Sequence, residues 1–158
     1  MAILERITKN VDNKYMDSGD WAFPVRNRYT AGVAGQRFFT EIKENAKIYG
    51  TKCNKCNITI VPAKLFCERC FERLSEWVDV GTTGTVHTYT VAHVEKDGSD
   101  KKTPSILAAI KIADGIILHR LEKCKPEEVK IGMEVKAAFK AKNQRKGSLM
   151  DISCFQPV

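Results

Sequence analysis

Two cysteine pairs decide how this sequence is interpreted: Cys53-Asn54-Lys55-Cys56 and, after ten intervening residues, Cys67-Glu68-Arg69-Cys70. Each C-x-x-C turn brings two sulfur atoms together, and two such turns supply the four thiolates of a tetrahedral structural zinc site. A complete set of four protein ligands leaves no position for water or substrate. The motifs therefore predict a small zinc ribbon that holds shape and performs no chemistry at the metal.

The same four cysteines allow two other interpretations. One is a disulfide framework, since the chain has six cysteines, but charged Glu5 and Arg6 stand where a signal peptide has its apolar core. No apolar stretch reaches the roughly 18–20 residues of a membrane span, so we expect a cytoplasmic, reduced chain. The other is iron in the same four-sulfur cage, because ligand type does not separate the two metals.

Composition describes a basic globular chain. Its 158 residues are 43% hydrophobic and carry a net charge of +7. This length suits one domain or two small ones, and the ribbon is too short to fill it. A basic surface suits phosphates, nucleic acid or solubility alone, so charge does not choose a function.

Helical patterns precede the ribbon. Apolar residues at helical spacing predict a first short helix: Ile3, Leu4, Ile7 and Val11. Gly19 and Pro24 then indicate an irregular segment. A second helix is predicted from about Ala31 to Ala46, with Thr30 as its cap. Its apolar residues are expected near one face: Val33, Phe38, Ile42 and Ala46.

After the second cysteine pair the pattern changes from helix to strand. The run from Thr85 to Val94 is rich in β-branched and aromatic residues and predicts a long curved strand. Four further strands are predicted: Ser105 to Ile112, Ile116 to Glu122, Glu134 to Ala141 and Leu149 to Phe155. Asp114-Gly115 predicts a tight hairpin, and Pro126 to Val129 a short helical turn. Five strands with a helical turn at this place predict an OB-type Greek-key barrel.

Several motifs, in this order, resemble the DUF35 family: Phe38-Phe39, Tyr49 to Cys56, Pro62 ahead of Cys67 to Cys70, Trp77 to Val80, Gly84 to Val86 and Gly132 to Val135. The resemblance covers roughly Ala31 to Phe155. It implies a mainly β chain with N-terminal helices, in which a rubredoxin-like zinc ribbon precedes a five-stranded OB-fold barrel. The expected segments are helical 1–48, ribbon 49–76 and barrel 77–158.

The resemblance also implies a partner role. DUF35 proteins are typically non-catalytic accessory subunits of thiolase-superfamily enzymes, or of related acyl-CoA enzymes such as steroid side-chain hydratases. An archaeal relative bridges acetoacetyl-CoA thiolase and hydroxymethylglutaryl-CoA synthase, and a bacterial one serves a benzoylsuccinyl-CoA thiolase. We therefore expect a thiolase-type partner, with the acyl-CoA as a ligand of the complex.

One departure from the family concerns the metal turns. Many relatives have glycine after each cysteine pair, whereas this chain has Asn57 and Phe71. Asparagine tolerates a positive φ angle and phenylalanine does so poorly. We therefore expect the second turn to differ from the first.

Cationic side chains near the ribbon are candidates for contact with CoA, which carries phosphates. Lys52, Lys64 and Arg69 flank the metal turns, where the backbone is held rigidly, and we expect these three to bind CoA. The other basic residues of this region are expected to be solvated surface: Arg37, Lys43, Lys47, Lys55 and Arg73.

No catalytic residue is predicted. Cys124 is interpreted as a plain free thiol and Cys154 as a small buried hydrophobe. Period-two spacing places His87 and His93 on the strand face of Tyr89, and packing or surface roles are expected for them. His119, on another strand, has the same expectation.

The rival function is binding of single-stranded nucleic acid. OB barrels use the loop between their last two strands for oligonucleotides, and this loop carries four cations: Lys140, Lys142, Arg145 and Lys146. Such binders also stack bases on several aromatic side chains. Here Tyr89 and Phe139 are the aromatic candidates, which makes nucleic-acid binding the less favoured function.

Overall fold

The computed structural model describes residues 30–95 and 98–158. The first predicted helix and the irregular segment after it lie outside these residues. Contacts divide the chain into two units. One contains Ala31–Val91 and Ser105–Val158, and carries the ribbon and the core of the barrel. The other includes Ala92–Pro104, where Glu95 forms an ion pair with Lys101 at 3.2 Å.

Helix α1 spans Gly32–Asn45, close to the predicted bounds. Its buried face is Ala34, Phe38 and Ile42, at four-residue spacing. The placement of Val33 on this face was wrong, because Val33 lies one position away and is 68% exposed. Ala31 occupies the N-cap with no side-chain hydrogen bond, so Thr30 is not the cap. Among the residues that the structure describes, no helix is long and apolar enough to cross a membrane.

The ribbon is a three-stranded antiparallel sheet. Its strands are β1 (Tyr49–Cys53), β2 (Ile58–Ile60) and β3 (Glu76–Asp79), in the order β2-β1-β3. Buried Thr51 joins this sheet to the segment before the second cysteine pair. Its Oγ1 donates to the Lys64 carbonyl oxygen at 2.8 Å and accepts the Lys64 N–H at 3.0 Å.

The predicted OB-fold is confirmed as a closed five-stranded barrel in the order β4-β5-β6-β8-β7. Its strands are β4 (Thr83–Val94), β5 (Asp100–Ile112), β6 (Gly115–Leu121), β7 (Glu134–Phe139) and β8 (Ile152–Pro157). Short 3-10 helices cover Pro126–Glu128, Lys142–Gln144 and Leu149–Asp151.

The last strand begins later than predicted. Leu149–Asp151 forms a 3-10 turn, because the hydroxyl of Ser148 accepts the Met150 N–H and caps it. The buried carboxylate of Asp151 accepts backbone N–H groups of Lys146, Gly147 and Ser148. Burial raises the pKa of Asp151, but these hydrogen bonds outweigh it and hold the pKa below its usual value.

The β5–β6 hairpin is confirmed, but its turn lies one residue earlier than predicted. Ile112 pairs with Gly115, so Ala113 and Asp114 form the two-residue loop. Asp114 is bound to the ribbon: its carboxylate accepts the Thr59 N–H at 2.8 Å, and its own N–H donates to the Thr59 carbonyl at 3.1 Å. A contact with another hairpin therefore fixes the turn.

Gly115 lies directly against the ribbon backbone. A Cβ at this position would stand 1.9 Å from the carbonyl oxygen of Val61, so only glycine fits there. The core runs through this junction, from Phe38 and Ile42 of the helix, through Val61, to Ile110 and Phe155 of the barrel, among others. Helix, ribbon and barrel thus share one apolar core.

Replacing Gly115 with alanine should separate ribbon from barrel. We expect Gly115→Ala to lower the free energy of unfolding by more than about 3 kcal/mol, because the new methyl group overpacks against backbone. Gly81→Ala is the control: Gly81 has φ +74° but no atom within 4 Å of an added Cβ, so it carries only the left-handed strain of about 1–2 kcal/mol. Urea unfolding of both variants measures the difference in their free energies of unfolding. Equal losses of stability would contradict the close contact between Gly115 and Val61.

A second stability prediction concerns His119, which is buried in the core. Its ring packs against Phe155 with centroids 5.8 Å apart, and within the described residues neither ring nitrogen has a hydrogen-bond partner. Burial lowers the pKa of His119. Below pH of about 6.5 the unfolded chain therefore takes up a proton that the folded chain resists, and stability falls as pH decreases.

We expect His119→Phe to be as stable as the wild type or more stable at pH 7.5, since it removes unpaired polar atoms from the core. It should also lose part of the stability decrease between pH 7.5 and 5.5. Urea unfolding at both pH values provides the measurement, with exposed His87→Gln as the control. An unchanged pH dependence in His119→Phe would show that His119 is not the group responsible.

Candidate metal centre and its surroundings

The four cysteines form a tight cluster in the ribbon. The sulfur atoms of Cys53, Cys56, Cys67 and Cys70 all lie within 4.8 Å of one another. Sγ of Cys53 is 3.6 Å from Sγ of Cys70, and that of Cys67 is 3.9 Å from that of Cys56. A zinc tetrahedron with Zn–S bonds of about 2.3 Å has edges of about 3.8 Å. The residues therefore fit a four-coordinate metal ion.

The two metal turns end in the same backbone conformation. In the first turn the Cys56 N–H, three residues on, donates to Sγ of Cys53 at 3.4 Å, and in the second the Arg69 N–H, two residues on, donates to Sγ of Cys67 at 3.5 Å. Asn57 has φ +52° and Phe71 has φ +59°. The expectation that the second turn differs was therefore wrong, because the geometry that brings the sulfurs together overrides the conformational preference of phenylalanine. That conformation costs Phe71 about 1–2 kcal/mol.

Charge explains why such a cluster needs a cation. Backbone N–H groups of Cys70 and Arg69 lower the pKa of Cys67 to about 7. The hydrogen bond with Cys70, followed by burial, raises the pKa of Cys56 to about 12. Four thiols this close cannot all ionise without a positive charge among them. All six cysteines are free, so disulfide bonding is not how the ribbon is closed.

Zinc, when bound, supplies a fixed tetrahedral centre and neutralises the thiolate charge. The four cysteines would hold it, and the backbone N–H groups of Cys56 and Arg69 that donate to Sγ of Cys53 and Cys67 would orient these ligands. Within residues 30–95 and 98–158, this is the only group of three or more cysteine, histidine or acidic side chains placed to hold a metal ion. The choice between zinc and iron stays open.

The predicted CoA contacts lie around the ribbon. Lys52 Nζ stands 3.9 Å from a Glu76 carboxylate oxygen, and Lys64 pairs with Glu68. Arg69 has no ion pair within the described part of the chain. Exposed pairs of this kind contribute little energy, so both lysines can exchange partners.

A groove of about 270 Å³ lies beside β1 and brings together cations that are distant in sequence. Lys52 and Lys55 line it together with Arg73, and Glu72 and Glu76 also contribute. Arg73 reaches this groove through an isolated antiparallel bridge between its backbone and Phe66. The sequence analysis named Arg73 among the basic residues of this region as solvated surface, and it did not predict the groove that joins Arg73 to Lys52 and Lys55.

Other basic candidates have structural partners. The guanidinium of Arg37 lies 4.4 Å from the ring centroid of Trp77, a cation–π contact. Lys47 Nζ forms a 2.8 Å ion pair with Asp79. These contacts hold α1 and the following segment against the ribbon sheet, so the two side chains serve packing.

Residues considered for catalysis do not assemble into a site. Cys154 is buried, as predicted, and Cys124 is half-buried with a pKa raised by burial. His119 is a core residue, which confirms its packing role. The shared face of His87 and Tyr89 was wrong: Tyr89 packs against the core, whereas His87 is exposed.

One cation of the basic loop considered for nucleic acid, Arg145, is engaged with the protein itself. Arg145 donates from Nε to the Lys140 carbonyl at 2.7 Å and from Nη1 to the Lys43 carbonyl at 3.2 Å. Its guanidinium also stacks near Phe139. Phe139 and Tyr89 are both half-buried against the core, which reduces the ring surface that could stack on bases.

The fold and the cysteine cluster together define a class of protein, a four-cysteine ribbon packed on an OB barrel. The family model for the C-terminal OB-fold domain of ChsH2 matches residues 77–140. A DUF35 domain-containing scaffold protein of Methanocaldococcus jannaschii is 33% identical over 106 residues, which cover 66% of this chain and 75% of that protein. One from Pyrococcus furiosus is 29% identical, covering 63% and 73%. The chain belongs to the DUF35 family.

Two solved structures share the architecture. A DUF35-family protein of unknown function from Sulfolobus solfataricus superposes with a TM-score of 0.60 at 28% identity, covering 87% of this chain and 91% of that one. The Ltp2-ChsH2(DUF35) aldolase superposes with a TM-score of 0.56 at 21% identity, covering 85% and 98%. The second similarity concerns the fold alone.

Removing one thiolate should remove the metal. We expect wild-type protein to carry one zinc ion per chain, and Cys56→Ser and Cys67→Ser to lose it. Because metal binding at such sites contributes about 10–16 kcal/mol of apparent free energy coupled to folding, both variants should melt at lower temperature. Elemental analysis and thermal unfolding with and without a chelator test this, with Cys124→Ser as the control. A red protein that contains iron would assign the other metal.

Proposed function

We propose that this protein is a non-catalytic accessory subunit of a cytoplasmic enzyme that processes CoA esters, and that its catalytic partner is a thiolase of the acetoacetyl-CoA or benzoylsuccinyl-CoA type. The observation that carries this proposal is the closed cysteine cluster in a DUF35 chain. Four protein ligands leave the metal no open position, and the described residues assemble no nucleophile with a base. The reaction then belongs to another polypeptide.

Family membership supports the partner role. Three relatives are named scaffold proteins. The Ltp2-ChsH2(DUF35) aldolase names a DUF35 protein together with an enzyme. A scaffold acts through surfaces held in fixed positions, and the shared core of helix, ribbon and barrel supplies that rigidity.

We assign docking to the ribbon. Phe71 directly follows the last metal ligand, is 78% exposed and is held at a positive φ angle. A strained, exposed aromatic side chain destabilises an isolated subunit, and aromatic residues of this kind anchor protein interfaces. Phe66, also exposed, extends the apolar surface of the ribbon. In the proposed complex this surface contacts the catalytic subunit.

The cationic side chains beside this surface would then face the acyl-CoA entrance. Lys52, Lys64 and Arg69 are the proposed contacts with the CoA phosphates, and Lys55 and Arg73 extend the positive groove around Lys52. A phosphate can displace an exposed carboxylate from a lysine, because neither ion pair is shielded from water. Ligand binding at the subunit boundary would couple substrate affinity to assembly.

Purification from the native source at low salt, followed by mass spectrometry, tests the assembly. We expect this chain to elute with a CoA-ester-processing enzyme in a fixed ratio, and Phe71→Ser to release it while the metal content stays unchanged. Recovery of a lone monomer would overturn the proposal. Titration with a single-stranded oligonucleotide at low salt distinguishes the rival function, since nucleic-acid binding weakens steeply as salt increases.

Charge reversal tests the CoA contacts in the assembled enzyme. We expect Lys52→Glu, Lys64→Glu and Arg69→Glu each to weaken binding of the CoA ester by about fivefold to tenfold, because each replaces attraction to a phosphate by repulsion. Lys136→Glu, on an exposed position of β7, is the control with the same change of charge. Unchanged affinity in all three variants would exclude these residues as ligand contacts.

A further inference from the structure

The outer side of the barrel carries an apolar surface that the ribbon does not explain. Strand β6 alternates strictly, with Ile117, His119 and Leu121 buried and the intervening residues exposed. Outward positions of such a strand are normally polar. Here two of them are Ile116 and Leu118, and Leu118 is 72% exposed.

Strand register joins these residues to others on β5. Ala109 lies opposite Leu118, Lys111 opposite Ile116, and Leu107 opposite Arg120. A groove of about 370 Å³ lies between β4, β5 and β6, and its lining is Thr88, Tyr89, Thr90, Leu107, Ala109, Leu118 and His119. We call the apolar surface beside it the outer barrel face, defined by Thr88, Thr90, Leu107, Ala109, Leu118, Ile116 and the cations Lys111 and Arg120.

The charged residues of the outer barrel face are both cationic. Between Ser105 and Leu121 the only acidic residue is Asp114, and its carboxylate accepts the Thr59 N–H. Within the described residues neither Lys111 nor Arg120 forms an ion pair. The apolar groove is therefore flanked by two cations that no described residue of this face neutralises.

The positive charge restricts which kind of partner can bind the outer barrel face. In a symmetric dimer the same surface meets itself, which would place Lys111 and Arg120 of both copies in one interface of a chain with net charge +7. The strand order closes the barrel, with β6 meeting β8 at Leu121 and Phe155, and the outer barrel face presents apolar and cationic side chains for docking. We propose that the outer barrel face docks a different protein, through an apolar patch of that protein flanked by aspartate or glutamate.

This inference goes beyond the proposed function, because it requires neither a metal ion nor CoA. The outer barrel face shares no residue with the cysteine cluster or with the cationic groove. A contact on the barrel and a contact on the ribbon are therefore separable by substitution.

Site-specific photocrosslinking of the full-length chain in its native host tests the proposal. The photoreactive amino acid p-benzoylphenylalanine replaces Leu118, or Ile131 as a control that is equally exposed at 71%. We expect Leu118 to give one predominant adduct with a different protein, whose crosslinked peptide contains apolar residues beside aspartate or glutamate. Adding Lys111→Glu and Arg120→Glu should reduce the yield by about tenfold or more, whereas Lys136→Glu should leave it unchanged.

Three results would overturn the proposal: an adduct between two copies of this chain, a yield at Leu118 no higher than at Ile131, or an adduct that persists after charge reversal. The outcome is distinct from that of the proposed function. A crosslinked partner that is unrelated to CoA would support the docking surface, whereas copurification through the ribbon tests the CoA assignment separately. A CoA-processing enzyme that copurifies while Leu118 gives no adduct would support the CoA assignment and reject the docking surface.

Discussion

The contact on which the rest of the structure depends is the approach of the Val61 backbone to Gly115. It leaves no room for a side chain, since a Cβ would stand 1.9 Å from the Val61 carbonyl oxygen. Asp114 fixes the same point with two hydrogen bonds to Thr59. Since Val61 also belongs to the main core, the junction joins two sheets into one body. The metal-bearing ribbon therefore keeps a fixed orientation on the barrel.

The four-sulfur site can explain how the ribbon is stabilised. Apart from cysteines, the separate core of the ribbon contains Ile58, Ile60 and Leu74. Three aliphatic side chains cannot offset the conformational entropy of ordering two turns and a three-stranded sheet. A metal ion bound by the four cysteines would supply the missing stability. It would also hold Phe71 in a backbone conformation that phenylalanine avoids.

The sequence predicted those features that depend on local chemistry. Paired cysteines converge because each turn is short, and β6 was predicted within one residue at each end because its alternation is regular. The errors have more than one physical cause. A distant contact moved the hairpin turn to Ala113 and Asp114, because Gly115 must meet Val61. Local geometry caused others: the hydroxyl of Ser148 caps the 3-10 turn that delays β8, and Val33 lies one position off the buried face of α1.

Two weakly binding surfaces bind more strongly together when they are fixed on one rigid body. The ribbon and the outer barrel face belong to one compact unit, joined at the contact between Gly115 and Val61. When a complex engages one surface, the other is held close to it, and its binding becomes effectively intramolecular. In the proposed assembly, two contacts too weak to bind alone can then act together. The junction at Gly115 and the cysteine cluster are then both required for the proposed function, because a ribbon that moves relative to the barrel would separate the two contacts.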